Sequence, residues 1–266
     1  MSDAMSDGEE IALPGGLGSG GAVVRVGATV RRPVRPHSEA VEAFLRHLEL
    51  MGFTGAPGVI GRDETGRQVL SWIDGDVALP PFPAWAATDE LMVSVADLQR
   101  RMHAAALTFV LPDEAGWDRA NLPATRPGDI VCHNDLCVEN VVVRDSAAIA
   151  FIDFDFAAPT DPLLDIAIAC RHWVPFRDPV DIAEGFAGVD QIARFGLFCD
   201  THGLSGATRR HVVDHGLAFL DRALVTMKAK ADSGLPMYAT VWAAGYPDQN
   251  RRSHTWLANQ LRGALS

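Results

Sequence analysis

The order of strand-like and helical segments constrains the fold of this chain more than any other feature. Short runs of β-branched residues occur over residues 22–73 and again over residues 130–153. Between these stretches, and from Asp161 onward, apolar residues recur every three or four positions, which is typical of amphipathic helices. A chain with a strand-rich beginning and a helical remainder is expected to adopt an α+β fold.

The N-terminal part of the chain predicts a small β-rich lobe. Residues 1–10 are expected to be disordered, because they have almost no apolar side chain to bury. Residues 11–75 contain the hairpin pattern "AVVRV"/"TVRRP", a helix with Ser38 as its expected N-cap, and a second hairpin around the turn "DETG". We expect this region to bind nucleotide and residues 76–266 to form the larger, mostly helical catalytic and acceptor-binding lobe.

The larger lobe is predicted to contain five helices and a central hairpin. Leu91, Val95, Leu98 and Met102 recur at helical spacing in the first helix. The hairpin comprises "NVVVRD" and "AAIAFIDFD". The predicted helices cover residues 88–107, 162–173, 180–200, 207–231 and 249–265.

Charge and composition narrow the class of protein. The net charge is −11 and lysine occurs only at Lys228 and Lys230, which argues against a nucleic-acid partner because phosphate binding needs a basic face. An acidic surface instead favours cationic small molecules. Four cysteines without a CxxC pair indicate neither a zinc site nor a disulfide framework. Because no apolar run approaches the ~18–20 residues that span a bilayer, we expect a cytoplasmic protein without a membrane partner. The sequence leaves its oligomeric state open.

The stretch "HNDLCVEN" carries the strongest functional signal. His133, Asp135 and Asn140 match the H-x-D-x-x-x-x-N spacing of a kinase catalytic loop. Asp153, in "FIDFD", follows Asn140 by 13 residues and an intervening hairpin, as a kinase metal-binding aspartate does. A polar loop between strands can also serve turn chemistry alone, and the motif without Asp153 does not separate these two interpretations.

These residue types suit phosphoryl transfer to an alcohol. A loop aspartate can orient the attacking hydroxyl and accept its proton, which is the predicted role of Asp135. The carboxylate of Asp153 and the amide oxygen of Asn140 are hard ligands suited to Mg²⁺. His133 is assigned to the same catalytic loop, where its ring is expected to fix the loop through hydrogen bonds.

The segments "VCHNDLCVENVVV" and "AFIDFDFAAPTDPLLDIA" resemble the aminoglycoside phosphotransferase family, including its choline-kinase-like branches. The resemblance implies a two-lobed protein-kinase-like fold with ATP in the cleft, Asp135 as catalytic base, Asn140 and Asp153 as magnesium ligands, and a small hydroxyl-bearing acceptor. Asp161 and Asp165, at the start of "DPLLDIA", are expected to cap a helix and brace the loop. Aminoglycoside enzymes bind substrate ammonium groups with carboxylates, for which this chain offers Asp178, Asp181, Glu184 and Asp190.

The chain departs from the family in its small lobe. No lysine precedes Lys228, so Arg31, or by a one-residue shift Arg32, is the candidate to replace the strand lysine that contacts ATP phosphates. Glu42 is the preferred ion-pair partner and Glu39 the second choice. The alternative is that these are solvated charges on a hairpin and a helix surface.

Two further segments resemble nucleotide-binding elements. "VLSWIDGD" resembles the inter-lobe hinge, where backbone groups of Ser71, Trp72 and Ile73 would hold the adenine edge. The Trp72 ring would either line the pocket or belong to the core. The glycine-rich stretch "LPGGLGSGG", residues 13–21, is either a phosphate-covering loop or a linker.

The sequence therefore predicts an ATP- and Mg²⁺-dependent phosphotransferase acting on a hydroxyl of a small molecule. The missing lysine motivates one rival, a kinase-like nucleotide- or ligand-binding immunity or regulatory protein with little turnover. A second rival is a metal-dependent hydrolase that uses His133, Asp135 and Asp153. It is disfavoured because the histidines lack ligand spacing such as HExxH.

Overall fold

The computed structural model describes residues 8–13, 22–111, 116–261 and 263. Its N-terminal part is a five-stranded antiparallel sheet of order β1-β2-β3-β5-β4, with helix α1 inserted between β3 and β4. These elements cover Ile11–Ala12 (β1), Val24–Val26 (β2), Thr29–Arg32 (β3), Ser38–Leu50 (α1), Val59–Arg62 (β4) and Gln68–Ser71 (β5). Both predicted hairpins and the predicted helix are therefore confirmed.

The start of α1 differs from the prediction by one residue. His37 occupies the N-cap position and Ser38 is the first helical residue, so the assignment of Ser38 as N-cap is wrong. The Ser38 hydroxyl instead accepts a hydrogen bond from the Arg35 backbone N–H at 2.8 Å. The expected apolar side is correct: Val41, Phe44, Leu45 and Leu48 are all buried.

The C-terminal part is mostly helical, so the chain has the predicted α+β class. Helices cover Asp89–Ala106 (α2), Pro162–Trp173 (α3), Gln191–Thr201 (α4), Gly206–Asp232 (α5), Pro236–Ala243 (α6) and Tyr246–Trp256 (α7). Two antiparallel pairs join Ile130–Cys132 (β6) to Ala158–Thr160 (β9), and Val141–Arg144 (β7) to Ala147–Phe151 (β8). No helix within the described ranges is long and apolar enough to cross a membrane.

Two of the predicted helical segments differ from the structure. The helix predicted from residue 180 begins only at Gln191, because short 3₁₀ turns at Pro179–Asp181 and Glu184–Phe186 precede it. The segment at Pro236–Ala243 was not predicted as a helix, and α7 begins at Tyr246 rather than at residue 249. Proline in the first turn starts both α6 and α7, because it lacks only an N–H that has no intrahelical partner there.

The segment after β5 joins the sheet to the β7–β8 hairpin. The backbone N–H and C=O of Asp76 both pair with Val143, at 2.8 Å each. Gly75 has φ 156°, and a Cβ there would lie 2.6 Å from Val142 Cγ1 and 2.7 Å from the Val143 oxygen. Glycine is therefore required where the chain crosses β7.

We expect Gly75→Ala to lower the free energy of unfolding by roughly 1–3 kcal/mol, because its methyl group overlaps β7 and must force the backbones apart. Urea unfolding followed by circular dichroism measures this loss. Gly61→Ala is the matched control, since Gly61 has φ 150° but no atom within 4 Å of its added Cβ. If both variants lose the same free energy of unfolding, the effect comes from backbone strain and not from contact with β7.

Candidate active site

Asn134 anchors the loop that joins β6 to β7. Its backbone is left-handed, with φ 61°. Its amide nitrogen lies 3.1 Å from the carbonyl oxygens of Cys132, Phe156 and Ala158, and its Oδ1 accepts a hydrogen bond from the Thr160 hydroxyl at 2.8 Å. The first residues of the loop are thus tied to β9 and the turn before it.

Asp165 braces the same loop from α3. Its buried carboxylate accepts hydrogen bonds from the Asn134 backbone N–H at 2.7 Å, from Gln99 Nε2 at 2.8 Å and from His103 Nε2 at 2.7 Å. Burial opposes its ionisation, but the bonds from His103 and Gln99 dominate and lower the pKa of Asp165 below its ordinary value. The predicted loop-bracing role of Asp165 is confirmed, and Asp161 caps α3 as expected, accepting from the Leu163 N–H at 2.9 Å.

His133 fixes the loop through its ring, as predicted. The ring is fully buried, lies 3.0 Å through Nε2 from the Ile152 oxygen, and packs against Phe154 with ring centroids 4.5 Å apart. Burial lowers the pKa of His133, so the neutral ring donates from Nε2 to Ile152. His133 thereby links the loop to the backbone just before Asp153.

Asp135 and Asn140 are held together at the end of the loop. Asn140 Nδ2 donates to the Asp135 backbone oxygen at 2.9 Å and to its Oδ2 at 3.1 Å. Burial, with a contribution from the nearby charge of Asp153, raises the pKa of Asp135 to about 7. A carboxylate with a pKa near neutrality is suited to general-base chemistry.

Asp153 is brought next to Asn140 by a backbone contact. The Ile152 backbone N–H donates to the backbone oxygen of Asn140 at 2.9 Å. Asp153 is the next residue and has a left-handed backbone, with φ 59°. The amide nitrogen of Asn140 donates to Asp135, so its Oδ1 is left without a hydrogen bond to any residue that the structure describes, and the Asp153 side chain is 43% exposed. These hard oxygen donors fit Mg²⁺, and a cation bound there would favour the ionised form of Asp135.

Arg32 reaches this site from the N-terminal sheet. Its Nη1 lies 3.4 Å from Asp153 Oδ1, and its Nη2 donates to Asp155. Asp155 also lies 3.3 Å from Arg35 Nε and 3.5 Å from His37 Nε2. Asp155, the second aspartate of "FIDFD", was not among the predicted site residues, and its position two residues after Asp153 is the only sequence signal for it.

Arg31 faces the other side of the sheet, because neighbouring side chains of a strand alternate. Its guanidinium lies 3.8 Å from Asp63, which also accepts from Arg67 Nε at 2.7 Å. Arg31 is therefore directed away from Asp153, and of these two arginines only Arg32 pairs with Asp153 among the described residues.

Glu42 does not form the predicted ion pair with Arg31 or Arg32. It pairs with Arg62 and accepts from Gln68 Nε2 at 2.8 Å. The prediction is wrong because α1 packs on β4, which brings Arg62 to this carboxylate. The second choice, Glu39, is exposed.

The predicted hinge has two backbone N–H groups already engaged. Ser71 donates to the Gly58 oxygen and Trp72 to the Ala28 oxygen, both at 2.9 Å. Ile73 N–H makes no hydrogen bond with any residue that the structure describes. Of the N–H groups of the three predicted hinge residues, that of Ile73 is thus the one available to a ligand.

The Trp72 side chain is half-buried rather than part of the core. Its Nε1 donates to Asp74 Oδ1 at 2.6 Å, and the Arg25 guanidinium lies 4.2 Å from the ring centroid. The glycine-rich stretch of residues 14–21 and the N-terminal residues 1–7 lie outside the described residues, so their predicted roles stay predictions.

Most of the carboxylates proposed for a cationic acceptor have other partners. Asp178 and Asp190 accept backbone N–H groups as N-caps of the helical segments that follow them. Asp181 accepts two hydrogen bonds from Arg252, at 2.6 and 2.8 Å. Glu184 is the remaining member of the set, at the start of a 3₁₀ turn.

Comparison with known proteins identifies a family and a relative that this chain resembles in sequence. The family described as the phosphotransferase enzyme family matches residues 107–196. The trifolitoxin immunity protein of Rhizobium leguminosarum bv. trifolii is 31% identical over 273 residues, which cover 97% of this chain and 99% of that protein.

Two solved structures show the same fold as this chain. A choline/ethanolamine kinase family protein from Mesorhizobium loti superposes with a TM-score of 0.65 at 20% identity, covering 98% of this chain and 92% of its own. Aminoglycoside phosphotransferase APH(3'')-Id from Streptomyces rimosus, in complex with ADP and streptomycin, has a TM-score of 0.53 at 17% identity, covering 84% and 94%. The predicted protein-kinase-like α+β fold is confirmed.

Proposed function

This chain belongs to the aminoglycoside phosphotransferase family, and we propose that it is an ATP- and Mg²⁺-dependent phosphotransferase acting on a hydroxyl group of a small molecule. The observation that carries the proposal is the convergence of Asp135, Asn140 and Asp153 from two segments of the chain through hydrogen bonds. A loop that served only to reverse the chain would not need a base, an amide oxygen and a second carboxylate held together in this way.

Each side chain has a role that its position supports. Asp135 orients the acceptor hydroxyl and accepts its proton as the oxygen attacks the γ-phosphate. Asn140 Oδ1 and Asp153 would hold Mg²⁺, which offsets phosphate charge when bound. Arg32 is the proposed substitute for the strand lysine, because its guanidinium already reaches the Asp153 side of the cleft. Ile73 is the proposed contact for the adenine edge.

Mg-ATP binding is expected to depend on Asp153. At ~100-fold excess over Kd, Mg-ATP should raise the Tm of the wild-type protein by about 5–10 °C. Asp153→Ala should abolish this shift, because it removes a metal ligand, and differential scanning fluorimetry measures both. Asp145→Asn is the control, since Asp145 is exposed in the β7–β8 turn and Asn tolerates its φ of 52°. A wild-type protein without any shift would contradict the proposal.

Transfer itself is tested by ADP release. The purified protein with Mg-ATP is screened against aminoglycosides, choline-like amino alcohols, amino acids, sugars and hydroxy acids. Acceptor-dependent ADP formation with a phosphorylated product supports the proposal. Phosphate release from simple esters without ATP would instead support the metal-dependent hydrolase.

The relationship to an immunity protein favours a second candidate function. A 31% identical relative that spans nearly the whole chain is named for immunity to trifolitoxin. In this alternative the chain binds a nucleotide or a toxic ligand with little turnover, and the absence of the strand lysine is consistent with it. The two functions differ in their need for Asp135, since only transfer requires a base.

A further inference from the structure

Asp155 contacts three basic side chains from β3 and from the segment between β3 and α1. Its Oδ1 accepts a hydrogen bond from Arg32 Nη2 and lies 3.5 Å from His37 Nε2, and its Oδ2 lies 3.3 Å from Arg35 Nε. The side chains of Arg32 and Asp155 are only 12% and 20% exposed, so solvent screens this ion pair less than an exposed surface pair. These contacts join the N-terminal sheet to the turn after β8.

The turn that carries Asp155 is fixed by the buried residue before it. Phe154 begins a 3₁₀ turn, Phe154–Phe156, and its ring centroid lies 4.5 Å from that of His133 and 6.4 Å from that of Phe44 in α1. A ring that is packed between two elements cannot shift without losing contacts on one side. Core packing thus sets the position of the Asp155 backbone relative to the catalytic loop and α1.

Arg32 has two carboxylate partners, which differ in their proposed tasks. Its Nη1 lies 3.4 Å from Asp153 Oδ1, whereas its Nη2 donates to Asp155. Asp153 is a proposed magnesium ligand, so a bound cation would compete with Arg32 for its oxygens. Asp155 has no part in the proposed metal site, and it is the other carboxylate that pairs with Arg32 among the described residues. Asp155 can therefore hold one side of the guanidinium while Nη1 stays on the Asp153 side.

The carboxylate of α1 that was predicted to pair with the strand arginine is engaged elsewhere. Glu42 pairs with Arg62 and accepts a hydrogen bond from Gln68. An arginine side chain has several rotatable bonds, and a partner that orders it before a ligand arrives reduces the entropy cost of binding. In this chain Asp155 is the residue placed to order Arg32 in that way.

We propose that Asp155 is a positioning residue that orients the Arg32 guanidinium toward the phosphates of a bound nucleotide, in place of a carboxylate on α1. The inference rests on the proposed phosphotransferase function and adds a residue to its nucleotide site. Asp155 acts through Arg32 and does not itself bind the nucleotide. Arginine suits this arrangement, because its planar guanidinium can bind a carboxylate through one nitrogen and a phosphate oxygen through another.

Calorimetric titration with magnesium and a non-hydrolysable ATP analogue tests the inference without an acceptor and without turnover. Asp155→Asn should raise the Kd of the analogue by about 10-fold, because Arg32 loses the charged partner that orients it toward the phosphates. Glu42→Gln is the matched control and should keep the wild-type Kd. It makes the same chemical change in a carboxylate that pairs with another arginine of the same sheet, Arg62.

A double-mutant cycle separates positioning from a general effect on the fold. Arg32→Gln by itself should raise the Kd by at least about 10-fold, since it removes the phosphate contact. In that background Asp155→Asn should change the Kd by less than about 2-fold, because the group through which it acts is gone. A structural role through Arg35 and His37 would instead weaken binding equally in both backgrounds. If Asp155→Asn does not fold, Asp155→Glu carries the same cycle, since it keeps the charge but moves the carboxylate by one methylene.

The possible failures are distinguishable. The inference is overturned by an unchanged or lower Kd in Asp155→Asn, by an equal loss in both Arg32 backgrounds, or by an equally large loss in Glu42→Gln. In each of these cases the wild-type protein still binds the analogue, so the proposed phosphotransferase function stands. Absence of binding by the wild-type protein would instead remove the proposed function, and the inference with it.

Discussion

Replacing Asp135 by Asn is expected to lower the rate of phosphotransfer by at least ~10²-fold, the lower end of the range for general-base catalysis. The amide cannot accept the proton of the acceptor hydroxyl. It keeps an oxygen that can accept the hydrogen bond from Asn140 Nδ2, so the loop geometry should persist. The loss should therefore appear in kcat, with the Mg-ATP thermal shift retained.

The measurement is acceptor-dependent ADP formation by wild type, Asp135→Asn and Asp145→Asn at saturating Mg-ATP. Asp145→Asn makes the same chemical change at an exposed turn and should keep the wild-type rate. If a resistance or binding phenotype survives unchanged in Asp135→Asn, transfer is not the biological role. That outcome would favour the immunity or ligand-binding function.

Replacing Asp165 by Ala is expected to lower the free energy of unfolding by about 3–5 kcal/mol. The substitution leaves His103, Gln99 and the Asn134 backbone N–H without their acceptor in a buried site. Buried N–H groups that lose their acceptor carry the full cost of desolvation, whereas N–H groups at an exposed helix cap do not. The catalytic loop loses its brace from α3 in the same step.

Urea unfolding followed by circular dichroism measures the stability of Asp165→Ala, with Asp161→Ala as the control. Asp161 caps the same helix but is partly exposed, so its loss should cost only ~1 kcal/mol. An equal effect of the two substitutions would show that helix capping, rather than the buried network, accounts for the loss.

The Asp165 effect also has a defined pH dependence. Because the pKa of Asp165 is lowered in the folded state, the unfolded chain binds more protons in the acidic range. The stabilisation is therefore present above the unfolded pKa of about 4 and is lost as the pH falls through the lower folded pKa. The stability difference between wild type and Asp165→Ala should shrink over that acidic range.

Local features were predictable because their physical causes lie within a few residues. The first hairpin, α1, α2, α3 and the cap at Asp161 follow from periodicity and capping chemistry. The secondary structure of the later segments was less predictable from the sequence. Residues 179–190 carry a helix-like pattern but form two short 3₁₀ turns; Val180 in the first is 73% exposed, and Phe186 in the second is buried against Phe82, a contact with a distant segment.

The sequence by itself determined which residues can carry the chemistry, because the spacing of His133, Asp135, Asn140 and Asp153 is a property of the chain alone. Only the tertiary structure decided which charges meet. The alternation of β3 directs Arg32 to Asp153 and Asp155, more than 120 residues away, while Arg31 points to Asp63. Likewise the sequence shows many carboxylates near the acceptor side, but their pairing depends on packing between distant elements. The charge presented to a ligand is what remains after those internal pairs have formed.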